Sequence, residues 1–218
     1  MKFFLSRQYD NYILFFSLSG VLLLLPFVNA MPLLRFALLG QYTFVMIYLV
    51  FSGRHMRSIF FIDMAVVVPA LIATLFESIY QNNITFVASH VLMLTFFAYL
   101  LYLIINEMVH AHRVNTNTIF GAINIYLVAG LIWAYSYVLL HHFDASAFSM
   151  SGYENSANTV ELFTYYSYTT LTTLGYGDIV AHSAQARMLS VLEAVFGQLY
   201  LAIVISKLVS VSIRSRKS

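Results

Sequence analysis

The chain has 218 residues, of which 61% are hydrophobic, 17% aromatic and 9% charged, with a formal net charge of +2. A soluble domain of this length carries about a quarter charged residues, so there is too little polar material to cover a surface in water, and lipid is the expected solvent. The small net charge gives no case for a nucleic-acid partner, and the absence of cysteine excludes disulfides, thiolate metal sites and a cysteine nucleophile.

About twenty apolar residues cross the hydrocarbon core as a helix. That window predicts spans near 12–29, 33–52, 58–80, 86–109, 117–140 and 184–213. Met1 to Arg7 followed by an apolar run has the outline of a signal peptide. However, Asn29-Ala30-Met31-Pro32 leads straight into another apolar segment, so the first span is read as a retained membrane helix. The connections Asn29–Pro32, Gly53–Arg57, Gln81–Thr85 and His110–Thr116 are short enough to join only sequential neighbours. Internal repeats and low-complexity tracts are not seen, and no cytoplasmic domain is expected after the last span.

Between the last two spans lies a semi-apolar stretch, 159–171. At ~1.5 Å per residue it is about 20 Å long, too short to cross a bilayer, and it is expected to enter the membrane and turn back. Irregular backbone at that depth is tolerated only where it is buried in protein or lines a water-filled path. The basic residues set the orientation. With a cytoplasmic amino terminus, Lys2, Arg7, Arg54, Arg57, Arg113, Lys207, Arg214, Arg216 and Lys217 fall inside, and of the 11 lysines and arginines only Arg35 and Arg187 fall outside. Both termini are then cytoplasmic, and residues 141–158 and the Gly175–Asp178 turn face outward.

Asn158, with Glu161 three residues on, has the form of a helix start. A helix over Thr159–Leu171 would point its carboxyl end, and the partial negative charge of its dipole, toward the middle of the membrane. Thr173-Leu174-Gly175-Tyr176-Gly177 follows. Replacing the water around a bare cation requires successive carbonyl oxygens aimed at one axis. Such a backbone alternates through left-handed angles, and glycine reaches these without a side-chain clash. Gly175 and Gly177 occupy alternate positions, and Thr173 can add a hydroxyl to the innermost ring.

The run Tyr165-Tyr166-Ser167-Tyr168-Thr169-Thr170-Leu171-Thr172-Thr173-Leu174-Gly175-Tyr176-Gly177-Asp178 resembles the pore helix and selectivity filter of tetrameric potassium channels, the bacterial members most of all. The resemblance implies that Thr173, Leu174, Gly175, Tyr176 and Gly177 coordinate the ions, with K⁺ held at Thr173, Leu174, Gly175 and Tyr176. It implies filter support from Thr172, Asp178, Tyr165, Tyr166 and Thr169. Tyr165 would bond toward Asp178, and Tyr166 toward Tyr176 of a neighbouring copy. Some bacterial relatives carry a glutamate at the position of Thr169, paired with the aspartate; that pairing is absent here. Leu174 replaces the usual valine, which alters the packing behind the carbonyl. One chain supplies one filter strand, so the resemblance implies a homotetramer in membrane lipid.

Gly197 lies where relatives place a gating hinge; a glycine inside a membrane helix serves equally for close packing. By the same alignment Gln198, Leu201 and Ile205 face a central cavity. Glu193, four residues before Gly197, is placed to hydrogen-bond the pore helix from behind the filter.

Phe61-Ile62-Asp63-Met64-Ala65-Val66-Val67-Val68-Pro69 resembles the third helix of voltage-sensor domains. Yet residues 86–109 contain no lysine or arginine, and each gating charge is worth only ~2.3 kcal/mol per 100 mV, so strong voltage gating is not expected. Asp63, Glu77 and Glu107 are expected in interfacial or interhelical hydrogen bonds. His110 with His112, and His141 with His142, are placed in solvated loops, without metal-pair spacing. His182 near the outer mouth would repel exiting cations when protonated, and Val180 at the mouth predicts weak external block by quaternary ammonium ions.

These readings together predict an all-α membrane protein with six transmembrane helices, a re-entrant pore helix and a filter loop. Residues 1–114 would form a four-helix voltage-sensor-like domain and 115–218 the pore domain. The expected function is passive K⁺ conduction, with no organic cofactor and no small-molecule substrate other than ions. Two alternatives are a potassium transporter subunit and a weakly selective cation channel. The former keeps one filter glycine in each of four repeats, and the latter usually changes the filter tyrosine or second glycine. An enzyme is not expected: nucleophile elbow, HExxH, phosphate loop and paired carboxylates are not found.

Overall fold

A computed structural model describes residues 11–27, 40, 43–45, 57–80, 82–110, 115–150 and 159–215. Most of the expected second span, 33–52, and the expected cap Asn158 lie outside the described residues. The elements are α1 (Asn11–Leu24), extended by a 3₁₀ turn over Leu25–Phe27, then α2 (Arg57–Tyr80), α3 (Asn83–His110), α4 (Thr116–Phe143), β1 (Phe148–Met150), α5 (Thr159–Leu171), β2 (Ile179–Ala181) and α6 (Ala184–Ser215). Among the described residues four helices are long and apolar enough to cross a membrane, over Asp63–Tyr80, Asn83–Val109, Thr116–Phe143 and Ala184–Val204; Asn11–Phe27 is apolar but shorter. The chain is therefore a largely helical membrane protein.

Two compact units divide it, Met1–His112 with Thr116–Ile125, and Arg113–Asn115 with Tyr126–Ser218. In the first unit, α2 buries Asp63, Val67 and Ala70, a spacing that places them on one helical face. Ile72, Leu75, Phe76 and Ile79 form a second stripe that stays exposed, an apolar face suited to lipid rather than water. Pro69 sits inside α2, which runs through it. Helix α3 turns Met93, Phe96, Phe97, Leu100, Leu103 and Ile104 inward.

Asn82 caps α3: its Oδ1 accepts the Thr85 amide at 2.8 Å, and its own amide donates to Thr85 Oγ1 at 3.2 Å. This reciprocal pair starts α3 at Asn83, earlier than the apolar window alone places it. Helix α4 likewise runs further than expected. His141 and His142 lie in its last turn, not in a loop, where imidazoles sit well near free carbonyls. The His141 ring packs against Phe148 and Phe163, so it is not solvated as expected.

Among the described residues the acidic side chains of the first unit are bonded between helices. Asp63, fully buried, accepts from Tyr99 Oη at 2.7 Å. Glu77 accepts from Ser89 Oγ, and His90 Nδ1 lies 3.8 Å from its other oxygen. Glu107 Oε1 accepts from Asn11 Nδ2 at 3.3 Å and Asn117 Nδ2 at 3.2 Å, while Asn117 Oδ1 accepts the Asn11 amide at 2.7 Å. Asn124 Nδ2 donates to the Asn11 carbonyl at 2.8 Å. Gly121 leaves room for this cluster, since a Cβ there would lie 3.1 Å from Asn11 Nδ2.

A hydrogen bond to a buried carboxylate contributes about 1.5–3 kcal/mol. Tyr99→Phe is therefore expected to destabilise the protein by about that amount in detergent unfolding, whereas Tyr102→Phe, altering an exposed ring, should have little effect.

Candidate functional site

In the second unit α5 is the short helix, and its 13 residues are wedged between α4 and α6. Glu161 stands in its first turn, where a carboxylate complements the helix dipole. One face bonds α4 through backbone carbonyls. Ser167 Oγ donates to the Gly130 carbonyl at 2.7 Å, Tyr168 Oη to the Leu127 carbonyl at 2.6 Å, and Tyr126 Oη of α4 to the Leu171 carbonyl at 3.1 Å. Gly130 permits the approach: a Cβ there would sit 2.6 Å from Tyr168 Cε1. Tyr137, Phe148, Phe163 and Tyr166 form an aromatic cluster around the start of α5.

The carboxyl end of α5 is closed by the segment that follows it. The amide of Thr172 donates to the Tyr168 carbonyl at 3.0 Å and that of Thr173 to Thr170 at 2.9 Å. The amides of Leu174 and Gly175 share the Thr169 carbonyl at 2.8 and 3.2 Å. Side chains reinforce this. Thr172 Oγ1 donates to the Tyr168 carbonyl at 2.6 Å, and the buried Thr169 Oγ1 to the Tyr166 carbonyl at 2.9 Å.

Beyond this point the backbone alternates in handedness. Thr173 has φ 60°, Gly175 φ 54° and Gly177 φ 82°. Glycine takes such angles freely, but for threonine, branched at Cβ, they are strained, at a cost on the order of 1–2 kcal/mol. Thr173 is the only non-glycine residue with positive φ among the described residues. The alternation at 173, 175 and 177 is what a row of convergent carbonyls requires. Thr172 to Gly177 are all exposed in the single chain, including Leu174 at 61% and Tyr176 at 69%.

Asp178 ends the turn. Its Oδ2 accepts from Tyr165 Oη at 2.7 Å, and its Oδ1 accepts the Ile179 amide at 3.0 Å. The Tyr165 ring lies parallel to that of Tyr176, with centroids 6.3 Å apart. Within the chain the Tyr166 hydroxyl is bonded to Ser190 Oγ at 2.7 Å, on the buried face of α5 that meets α6. After the turn, β2 pairs antiparallel with β1 (Phe148 with Ala181, Ser149 with Val180, Met150 with Ile179). The Ala147 carbonyl accepts the amides of His182 and Ser183 at 2.8 and 3.2 Å. This ribbon anchors the outgoing chain.

Helix α6 backs the whole assembly. Glu193 is fully buried; one oxygen accepts from Tyr137 Oη at 2.7 Å, and the other meets Ser167 Oγ, whose single proton it shares with the Gly130 carbonyl. Gly197 meets the end of α5 so closely that an added Cβ would overlap the Leu171 carbonyl oxygen, with the carbonyl carbon at 3.1 Å. This is close packing of the kind small residues allow. Gln198 Nε2 donates to Thr173 Oγ1 at 3.2 Å. Leu201 is exposed in the single chain, and the side chain of Ile205 lies outside the described residues.

Residues 122–214 match the family model of an ion channel. The matched region runs from α4 through α5 and the left-handed turn to α6, so the part of the chain that holds this geometry is similar to an ion-channel domain. No curated protein and no solved structure matches the chain.

Sequence reasoning missed the β1–β2 ribbon, whose three-residue strands are too short to show alternation. It also missed Tyr137 and Ser190. The readable signal was polarity recurring inside an apolar helix: Ser190, Glu193 and Gly197 share one face of α6 at helical spacing.

The contact at Gly197 generates a direct test. A methyl group there must push against backbone, and overpacking of this kind costs about 1–3 kcal/mol. Gly197→Ala is therefore expected to destabilise the protein by about 1–3 kcal/mol in detergent unfolding, while Ala202→Gly, at an exposed position of the same helix, should cost about 1 kcal/mol or less.

Proposed function

We propose that this chain is one subunit of a potassium-selective channel in which four copies bring their Thr173–Gly177 segments around one axis. The observation that carries the reading is the left-handed alternation at Thr173, Gly175 and Gly177, placed directly at the carboxyl end of a short buried helix. Carbonyls of Thr173, Leu174, Gly175 and Tyr176, with the Thr173 hydroxyl, would replace the hydration shell of K⁺. The field of the α5 dipole favours a cation at its carboxyl end. Asp178 and Tyr165 brace the outer end of the segment through their 2.7 Å bond, and Thr169 and Thr172 hold its inner end.

Two features support an assembly of copies. Leu174 and Tyr176 are large apolar groups left open at the filter, and α6 exposes Val191, Leu192, Val195 and Leu199. A second chain would cover such surfaces, and a carbonyl ring needs more than one strand. Gln198, Leu201 and Ile205 would line the cavity below the ring. The remaining helices form a sensor-like domain in the cell membrane, with both termini cytoplasmic. Helix α3 carries no lysine or arginine, and its His90 is buried beside Glu77, so conductance should vary little with voltage.

The test is the purified protein in a planar bilayer with K⁺ on one side and Na⁺ on the other. The expected reversal potential lies close to the K⁺ equilibrium value; equal passage of the two ions would refute potassium selectivity in favour of a weakly selective channel. Gly175→Ala places a Cβ at φ 54°, a strain of about 1–2 kcal/mol in each copy, and is expected to abolish or severely reduce the current.

A further inference from the structure

The contacts between α5 and α6 fall into a single register. Tyr166 bonds Ser190, Ser167 bonds Glu193, Leu171 receives Gly197, and Thr173 bonds Gln198, the hydrogen-bonded pairs being separated by 24, 26 and 25 residues. The two segments therefore run side by side in one direction, fastened from the middle of α5 to the foot of the left-handed turn. The most expensive group in this ladder is Glu193. A carboxylate at 0% exposure in an apolar helix is costly unless every oxygen is engaged. Both are: one by Tyr137 of α4, the other by Ser167 of α5, whose hydroxyl also lies 2.7 Å from the Gly130 carbonyl of α4.

A hydrophobic residue of the same size would fill this space at lower cost, so packing alone does not account for the carboxylate. What it adds is direction. Glu193 ties three helices at one point, and its pull on Ser167 lies one turn before Thr170 and Leu171, in the helix whose terminal carbonyls hold the Thr172–Gly175 amides. We propose that Glu193 is a positioning residue that makes α6 and the filter segment move as one body, so that a shift of α6 is transmitted through Ser167 to residues 172–175. This inference rests on the channel reading for its consequence in current, but not for its structural part.

Wild type, Glu193→Gln, Ser167→Ala and the double variant, all as full-length protein in lipid, separate the two. Hydrogen exchange followed by mass spectrometry reads the structural part. Leaving a buried polar group without its partner costs about 1–3 kcal/mol, enough to change local opening about tenfold. Each single variant is expected to speed exchange of the amides in 168–175 by about that factor, with the carboxyl half of α6 unchanged, and the double variant should be no faster than the faster single. In bilayers the same variants should shorten the conducting dwell time while leaving the reversal potential in place. Exchange over 168–175 within about twofold of wild type, or a rise spread evenly over all helices, would overturn the proposal by showing that Glu193 only fills or stabilises the fold. Independent, multiplying effects of the two substitutions would overturn it as well, since a shared bond cannot be lost twice. Ser167→Ala removes one oxygen and leaves the volume nearly unchanged, so it keeps the comparison intact if Glu193→Gln does not fold. Failure of the channel reading would appear in the wild-type reversal potential and would leave the exchange comparison readable.

Discussion

The arrangement depends on one constraint: a stretch of backbone that belongs to neither helix nor sheet must be held in a chain whose natural solvent offers no hydrogen bonds. From Thr172 to Asp178 the protein meets it from one side only. Four amides turn back onto the last carbonyls of α5, and Asp178 is held by Tyr165. With donors directed at the helix end, the carbonyls of the same residues are left to point elsewhere. The left-handed angles at 173, 175 and 177 set how they point. Strain at Thr173 is tolerated because its amide bonds Thr170 and its hydroxyl meets Gln198, so helix and side chain together over-determine the conformation.

Everything behind that segment serves to fix α5. The short helix presents three kinds of surface. Hydroxyls of Ser167 and Tyr168 seek carbonyls of α4, which requires the missing side chain of Gly130. Leu162 and Phe163 fill the apolar space. Tyr166 and Ser167 meet polar groups of α6. Hydroxyl-to-carbonyl bonds between helices are modest singly, about 0.5–1.5 kcal/mol each, but they are directional in a way that apolar packing is not. A helix that ends in a left-handed turn must be fixed in rotation as well as position if the turn is to keep one direction, and directional bonds supply the rotation.

Much of this was legible in the sequence, and the reasons differ by element. The alternation of Gly175 and Gly177 announces its own backbone, since few other residues take those angles. A helix of 13 residues between longer apolar spans declares that it cannot cross. Tyr165 and Asp178 were read through a family resemblance, Glu193 through the cost of a carboxylate in an apolar run. What stayed hidden depended on partners far away in the chain. The bond of Tyr166 to Ser190 was not readable, because Ser190 is one unremarkable serine among several. His141 looked solvated because no periodicity reveals that Phe148 and Phe163 close over it. The ribbon of Phe148–Met150 with Ile179–Ala181 is too short to carry a period, and it exists because the chain leaving Asp178 passes beside the segment after α4.

The first unit shows the same economy in another setting. Asp63, Glu77 and Glu107 could be mistaken for binding groups, yet each is occupied by a hydroxyl or amide of another helix. In lipid, where apolar surfaces do not discriminate between neighbours, such pairs fix which helix sits against which. Glu193 obeys the same rule in the second unit, with one difference. Its partners include the helix that ends at the left-handed turn, so a bond that elsewhere only selects a neighbour lies here one turn before that segment. The same chemistry acquires a positioning role from where it is placed.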